Sequence, residues 1–270
     1  MAEYIRFHHF PVAGVDPMTA ATARAFPRHT HDQYGIGVVD CGGHASWSGR
    51  GQVEAGPGNL ICVNPGEVHD GRAIGQRSRS WRILYFDPAL VEEACADIRD
   101  GAHASFTFIT AVFADDHVRR LFNSAFAHTA ASAGPSETMA CETALLTLVA
   151  RLNAHSTVGA QNEKAPTACI RRVRNRIDAD PSVPLTLAGL ARDVGLSRYQ
   201  LLRAFARELG LTTHAYILQR RIAFARRLLR AGYCAAETAL VAGFYDQSHL
   251  TRCFVRQFGV TPGRYASKAL

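Results

Sequence analysis

This 270-residue chain has no run of about 18 apolar residues; patches such as "NLICV" (59–63) are only strand-sized, which argues against a membrane span. The start "MAEYIRFHHF" lacks the basic segment, apolar stretch and small-residue cleavage site of a secretory leader, so a cytoplasmic location is expected. The seven cysteines (Cys41, Cys62, Cys95, Cys141, Cys169, Cys234, Cys253) are odd in number and include no C-x-x-C pair. That excludes a disulfide frame or zinc finger as the organising device and leaves reduced, mostly buried thiols. Lysine is scarce too: from Ala165 onward only Lys268 is a lysine among 17 basic residues.

The charge that is present is unevenly placed. From Ala165 onward 17 Lys/Arg stand against 6 Asp/Glu, a net of +11, whereas residues 1–164 hold 13 against 17, a net of −4; together they give the whole-chain +7. A basic second part joined to a slightly acidic, histidine-rich first part points to two domains with different partners. In the first part, "QYGIGVVD" (33–40), "HASWSG" (44–49), "NLICVNP" (59–65) and "RSWRILYFDP" (79–88) are short, apolar and separated by turn clusters. That spacing predicts an antiparallel barrel or sandwich. Near Asp115 the period changes, and two amphipathic helices are expected before residue 155. The polar stretch 156–166 reads as a linker. The remainder reads as helical, with Gly195 and Gly232 as stops and Ser197 as a cap.

The most informative signal is a repeat. At an offset of 49, seven of the sixteen positions from Leu201 to Tyr216 recur identically, as in Leu201/Leu250, Arg203/Arg252, Phe205/Phe254 and Gly210/Gly259. Each copy reads helix, glycine-containing turn, capped helix and a "G-[LV]-T" exit. Two helix-turn-helix units in the basic half predict binding to double-stranded DNA, with recognition helices in successive major-groove segments about 34 Å apart.

The stretches "LTLAGLARDVGLSRYQLLRAFARELGL", "QRRIAFARRLL" and "GFYDQSHLTRCFVRQFGVTPGRY" closely resemble the DNA-binding domain of AraC-family bacterial transcription regulators, over residues 167–267. "PRHTHDQYGIGVV" with "GPGNLICVNPGEVHDG" resembles that family's cupin-type effector domain. The resemblance implies an α+β multidomain chain: residues 1–155 a cupin-like β-barrel with two trailing dimerisation helices, 156–166 a linker, and 167–270 an all-α double helix-turn-helix domain. It implies base contacts from Arg198, Tyr199, Leu202 and Arg203 in the first motif, and from Gln247, Ser248, Thr251 and Arg252 in the second. Leu202 departs from the pattern, standing where a polar base reader is common; it suits contact with a thymine methyl.

In the first part, His29 and His31 alternate on one strand face, and His69 can complete three imidazoles. Metal-binding cupin enzymes resemble this arrangement, but they usually place a glutamate a few residues after the His-x-His. Here positions 35–39 read "GIGVV" and supply no acid. No metal or cofactor is therefore expected. Strand parity and the resemblance together line an effector pocket with His29, His31, Tyr34, Trp47, His69, Trp81 and Tyr85, suited to a small polar organic effector. The expected protein is a ligand-responsive regulator, a homodimer and not an enzyme, with RNA polymerase a candidate further partner. The alternative is a metal-dependent cupin enzyme fused to a DNA-binding domain.

Overall fold

Short runs of β-branched and aromatic residues, broken by glycine turns, pair into two main sheets in the computed structural model, which describes residues 3–48, 51–75, 78–98, 106–130, 135–158 and 166–269. The strands are β1 Tyr4–Phe7, β2 Val15–Thr22, β3 Phe26–His29, β4 Tyr34–Cys41, β5 His44–Ser48, β6 Gly51–Ala55, β7 Leu60–Val63, β8 His69–Ala73, β9 Arg79–Phe86, β10 Phe106–Phe108, β11 Val112–Phe113 and β12 Ser156–Val158. One sheet runs β1-β2-β9-β4-β7-β11, the other β3-β8-β5-β6. The chain divides into a sheet-rich unit, Met1–Phe26 with Thr30–Gln161, and a helical unit, Asn162–Leu270, with which the short segment Pro27–His29 is grouped.

Helices α1 (Pro88–Ile98), α2 (Asp116–Ala127) and α3 (Pro135–Leu152) belong to the sheet-rich unit. Asp115 starts α2 as its N-cap, accepting from the backbone N–H of His117 and Val118. The same carboxylate accepts from Arg151 and His155, both at 3.0 Å, so one side chain ties the start of α2 to the end of α3. Phe122 and Val118 of α2 and Leu148 and Cys141 of α3 are completely buried, in a core shared with Tyr34, Ile36 and Val38 of β4 and Leu84 and Phe86 of β9. Each such large apolar side chain contributes about 1.5–3 kcal/mol of burial. These helices therefore cover one face of the larger sheet.

The two helices expected before residue 155 are α2 and α3; α1 is a further helix that was not expected, and one boundary needs correction. The segment "PALVEEACADI" forms α1, with proline in its first turn and Val91, Ala94 and Cys95 at helical spacing on its buried face. Also, Ser156–Val158 pairs antiparallel with Phe106–Phe108, so the start of the expected linker is a strand of the first unit. Its polar composition hid this, because backbone hydrogen bonds make the pairing. Of that linker, residues 159–165 lie outside the described residues.

The helical unit contains α4 (Ala168–Ala179), α5 (Leu187–Asp193), α6 (Arg198–Leu209), α7 (Thr213–Arg230), α8 (Ala235–Val241), α9 (Gln247–Phe258) and α10 (Pro262–Ala269). The repeat is structural as well as textual. α5 and α8 are each seven residues long, α6 and α9 each twelve. Both twelve-residue helices end on a left-handed glycine, Gly210 at φ 70° and Gly259 at φ 72°, a conformation that costs other residues a steric clash. Leu201, Phe205, Leu250 and Phe254 are fully buried. Tyr216 packs on Phe205 and donates to the Asp178 carboxylate, while Tyr265 packs on Phe254.

Candidate functional site

Two groups of side chains are candidates for function, the exposed faces of α6 and α9 and the polar cluster between the two sheets. In the helical unit, Ser197 caps α6 through a reciprocal box with Gln200, and Asp246 caps α9 by accepting from the His249 N–H. These caps set where each helix begins, and hence which residues its exposed first turns present. Arg198, Tyr199, Leu202 and Arg203 are all exposed, Tyr199 by 67%. The Arg203 guanidinium lies 5.6 Å from the Tyr199 ring centre. On α9, Gln247, Ser248 and Arg252 are exposed, and Thr251 is half-buried with its hydroxyl donating to the Gln247 carbonyl at 2.8 Å. Each set lies along one side of its helix by helical spacing. Arg207 pairs with Glu208 at 2.9 Å.

Sequence reasoning passed over Tyr245, which is 92% exposed in the turn immediately before the Asp246 cap. A large aromatic in a turn, with no core to fill, was the available signal. Its ring and hydroxyl sit in the same exposed turn as the start of α9, suited to a phosphate or sugar contact.

In the sheet-rich unit, register decides which residues face the space between the sheets. The pairs Ala20↔Trp81 and Met18↔Ile83 share a face of the larger sheet, and Arg79 and Tyr85 follow by alternation on β9. On the smaller sheet, His44↔Ala73 and Ser48↔His69 set His44, His69 and Gly71 on a common face. The two faces meet. His31 lies 4.9 Å from Tyr85 and 5.1 Å from His69 between ring centres, and His44 lies 5.9 Å from Trp81.

Of the expected pocket residues, His31, His69, Trp81 and Tyr85 come together there, with His29 beside them: one nitrogen from each of His29, His31 and His69 lies within 4.8 Å of the others. Tyr34 and Trp47 do not join them. Tyr34 is on the opposite face of β4, its hydroxyl donating to the Phe106 carbonyl at 2.6 Å and its ring packed on Phe106 and Phe108. Trp47 is 38% exposed on the outer face of β5. Parity misled for Tyr34 because β4 is buried on both faces, so its sequence does not alternate. His44 and Arg79 were missed, though both stand in runs read as strands.

His44 and His69 are held neutral. Burial depresses His69 to about 4, partly countered by the Glu67 carbonyl, to which its Nδ1 is bonded at 3.0 Å. Burial depresses His44 to about 3, with the Arg79 charge adding to the effect. Glu67, the nearby acid, is engaged by Asn64, whose backbone N–H and side-chain amide both reach Oε2 at 3.2 Å.

A sheet-built sensor joined in one chain to a duplicated, basic helix-turn-helix unit defines a ligand-responsive, sequence-specific DNA-binding transcription regulator. Comparison with known proteins agrees. Residues 18–149 match the model of an AraC-like ligand binding domain, and residues 190–268 match that of a helix-turn-helix domain. The HTH-type transcriptional regulator YbfI of Bacillus subtilis is 28% identical over 227 residues, covering 83% of this chain and 81% of the relative. The transcriptional activator NphR of Rhodococcus is 39% identical over 93 residues, which is 34% of this chain and 26% of NphR. Among solved structures, ToxT from Vibrio cholerae with a bound unsaturated fatty acid shares the fold at a TM-score of 0.57 and 12% identity, covering 94% of this chain and 95% of that one. The chain belongs to the AraC family of transcription regulators.

Proposed function

We propose that this regulator reads DNA through α6 and α9 and is controlled by a small organic effector held between the two sheets of its sensor. The observation that carries the DNA half is the pair of exposed Arg-bearing helix faces on matching buried repeats. Base reading falls to Arg198, Tyr199, Leu202 and Arg203, and to Gln247, Ser248, Thr251 and Arg252. Effector contacts fall to His29, His31, His69, Trp81 and Tyr85. The chain works by binding alone, without catalysis, in the cytoplasm, and RNA polymerase is the further partner such a regulator addresses. None of the described helices is long and apolar enough to cross a membrane. A fatty acid occupies ToxT; an organic effector is the corresponding reading here.

Arg252→Ala tests the assignment. Loss of about 1–3 kcal/mol on the cognate site, with relaxed preference at one base pair, is expected of a base reader. An equal loss on every sequence would make Arg252 a phosphate clamp instead.

Homodimerisation through α2 and α3 is supported by a groove of about 510 Å³ lined by Leu121, Met139, Ala140 and Thr143 among others, with Met139 exposed beside it. Leu148 is fully buried within its own unit, so the surface to alter is Met139. Met139→Glu is expected to shift the sedimenting species from dimer to monomer while the melting curve stays in place. A wild-type chain that sediments as a monomer at high concentration contradicts the pairing.

One observation favours a second reading, in which the histidine trio holds a divalent ion. The Nδ1 atoms of His29 and His69 are bonded to the carbonyls of Pro27 and Glu67, at 2.8 and 3.0 Å, which fixes ring orientation as it does in metal sites. A chelator that lowers the wild-type melting temperature, but not that of His31→Gln/His69→Gln, would establish that reading. Unchanged melts are expected for the organic-effector pocket.

A further inference from the structure

The two helix-turn-helix units turn in the same way and differ in what their turns touch. Gly195 and Gly243 are both left-handed, at φ 68° and 77°. In each turn the glycine N–H bonds back to the Arg192 or Leu240 carbonyl at 3.2 Å, and the next N–H, of Leu196 or Phe244, bonds back to Ala191 or Ala239. The turn alone therefore asks the same of both glycines, a positive φ. A Cβ on Gly195 would meet nothing within 4 Å, whereas one on Gly243 would lie 2.3 Å from the carbonyl oxygen of Ser182 and 2.8 Å from its Cα. No side chain fits there. Gly243 is a point of backbone-to-backbone contact as well as a turn residue.

Ser182 belongs to the loop 180–186, which leads from α4 to the Thr186 cap of α5 and so into the first helix-turn-helix unit. That loop is stiff. Pro181 and Pro184 fix two φ angles, and the Asp180 carboxylate accepts from the Ser182 N–H at 2.9 Å and from its hydroxyl at 2.5 Å. Arg221, in the middle of α7, donates Nε to the Pro181 carbonyl at 2.7 Å and Nη2 to the Val183 carbonyl at 3.2 Å. These two carbonyls flank Ser182. The guanidinium of the helix that connects the two units thus holds the segment on which Gly243 rests.

We propose that Arg221, the loop 180–184 and Gly243 form a brace that fixes the separation and relative rotation of α6 and α9, and with them the base-pair spacing accepted between the two half-sites. The proposal rests on the reading of α6 and α9 as the base-reading helices. The connection through α7 would by itself leave a hinge between the units; a second connection, through the loop, removes it. Arg221 is a positioning residue, acting on the duplex only through the helices it aligns. A duplex advances about 3.4 Å and turns by about 35° per base pair, so a braced pair that fits one spacing cannot follow a change of one base pair.

The full chain would select duplexes from a random-sequence library, and base-pair substitutions would locate the two half-sites in the selected sequence. Duplexes with one base pair inserted or removed between the half-sites then give a spacing profile by fluorescence anisotropy. For the wild type each altered duplex is expected to bind at least about tenfold more weakly. Arg221→Met keeps the apolar stem and loses both donors; it is expected to bring the altered duplexes within about threefold of the selected one. Gly243→Ala forces Ser182 away, is expected to flatten the profile too, and serves where Arg221→Met does not fold. Gly195→Ala carries the same left-handed strain with no neighbour to push, and is expected to keep the wild-type profile even where overall affinity falls. A wild type indifferent to spacing overturns the brace. So does Arg221→Met or Gly243→Ala that melts cooperatively yet keeps the wild-type profile, or Gly195→Ala that flattens it equally. Failure to select any sequence strikes the base-reading assignment itself, and the brace with it.

Discussion

Raising salt from about 50 to 200 mM is expected to weaken duplex binding by the full chain by about a thousandfold or more. The reason is the charge of +11 carried from Ala165 onward, nearly all of it as arginine. Each phosphate neutralised releases a condensed counterion, and six or more such contacts give a slope of that steepness. Arg198, Arg203, Arg252 and Arg256 are exposed on the two recognition helices and available for the purpose. The sheet-rich part, at −4, gives the duplex no electrostatic attraction of its own. Fluorescence anisotropy on a labelled duplex at several salt concentrations measures the slope. An affinity that stays level across that range would remove phosphate contact as the source of binding and leave the basic half unexplained.

Acid is expected to unfold the sensor well before it unfolds most carboxylate-stabilised domains. His44 and His69 sit at about 3 and about 4 in the folded chain, below the ordinary imidazole value near 6.5. The unfolded chain therefore binds protons that the folded chain refuses. Stability is complete above the ordinary value and declines as the pH falls through 6 and 5, by on the order of 2 kcal/mol for each imidazole at pH 5. Asp115, held well below the usual carboxylate range by the Val118 N–H, His155 and further donors, acts in the same direction but only below pH 4. Melts between pH 7 and 5, with chelator present throughout, show the decline. His44→Gln should roughly halve it. A flat profile over that interval would mean that water reaches these rings and that the inter-sheet space is open and wet.

How much of this was legible beforehand depended on which force shaped each part. The helix-turn-helix pair could be read directly, because caps, left-handed glycines and buried Leu/Phe positions are local in sequence and here occur twice. Gly210 and Gly259 announce their helix ends whatever the rest of the chain does. The inter-sheet face was harder. It is assembled from β3, β5, β8 and β9, and membership depends on register, which no single strand reveals. Tyr34 and Trp47 look like pocket aromatics in isolation; pairing with neighbours turns one toward the helices and the other toward solvent. Arg79 stayed hidden for the opposite reason. An arginine at the start of a strand reads as surface, and only the folded arrangement shows it buried against His44 and Trp81. The helix Pro88–Ile98 was missed because it follows directly on the apolar strand run 79–88, and the strand Ser156–Val158 because it is polar.

The duplicated unit also separates two kinds of heritable change. Within each twelve-residue helix, the residues that hold the fold, Leu201 and Phe205 or Leu250 and Phe254, are wholly enclosed, while those facing a duplex are largely free of packing duties. On the proposed assignment of these faces to base reading, a substitution at Tyr199, Gln247 or Ser248 is expected to alter which operator is recognised at little cost in stability, since exposed side chains without a capping or packing role usually change it by less than about 0.5 kcal/mol. With two such helices, the same assignment lets one drift toward a new half-sequence while the other keeps the protein on its old promoter. Retargeting can proceed through intermediates that still fold and still bind.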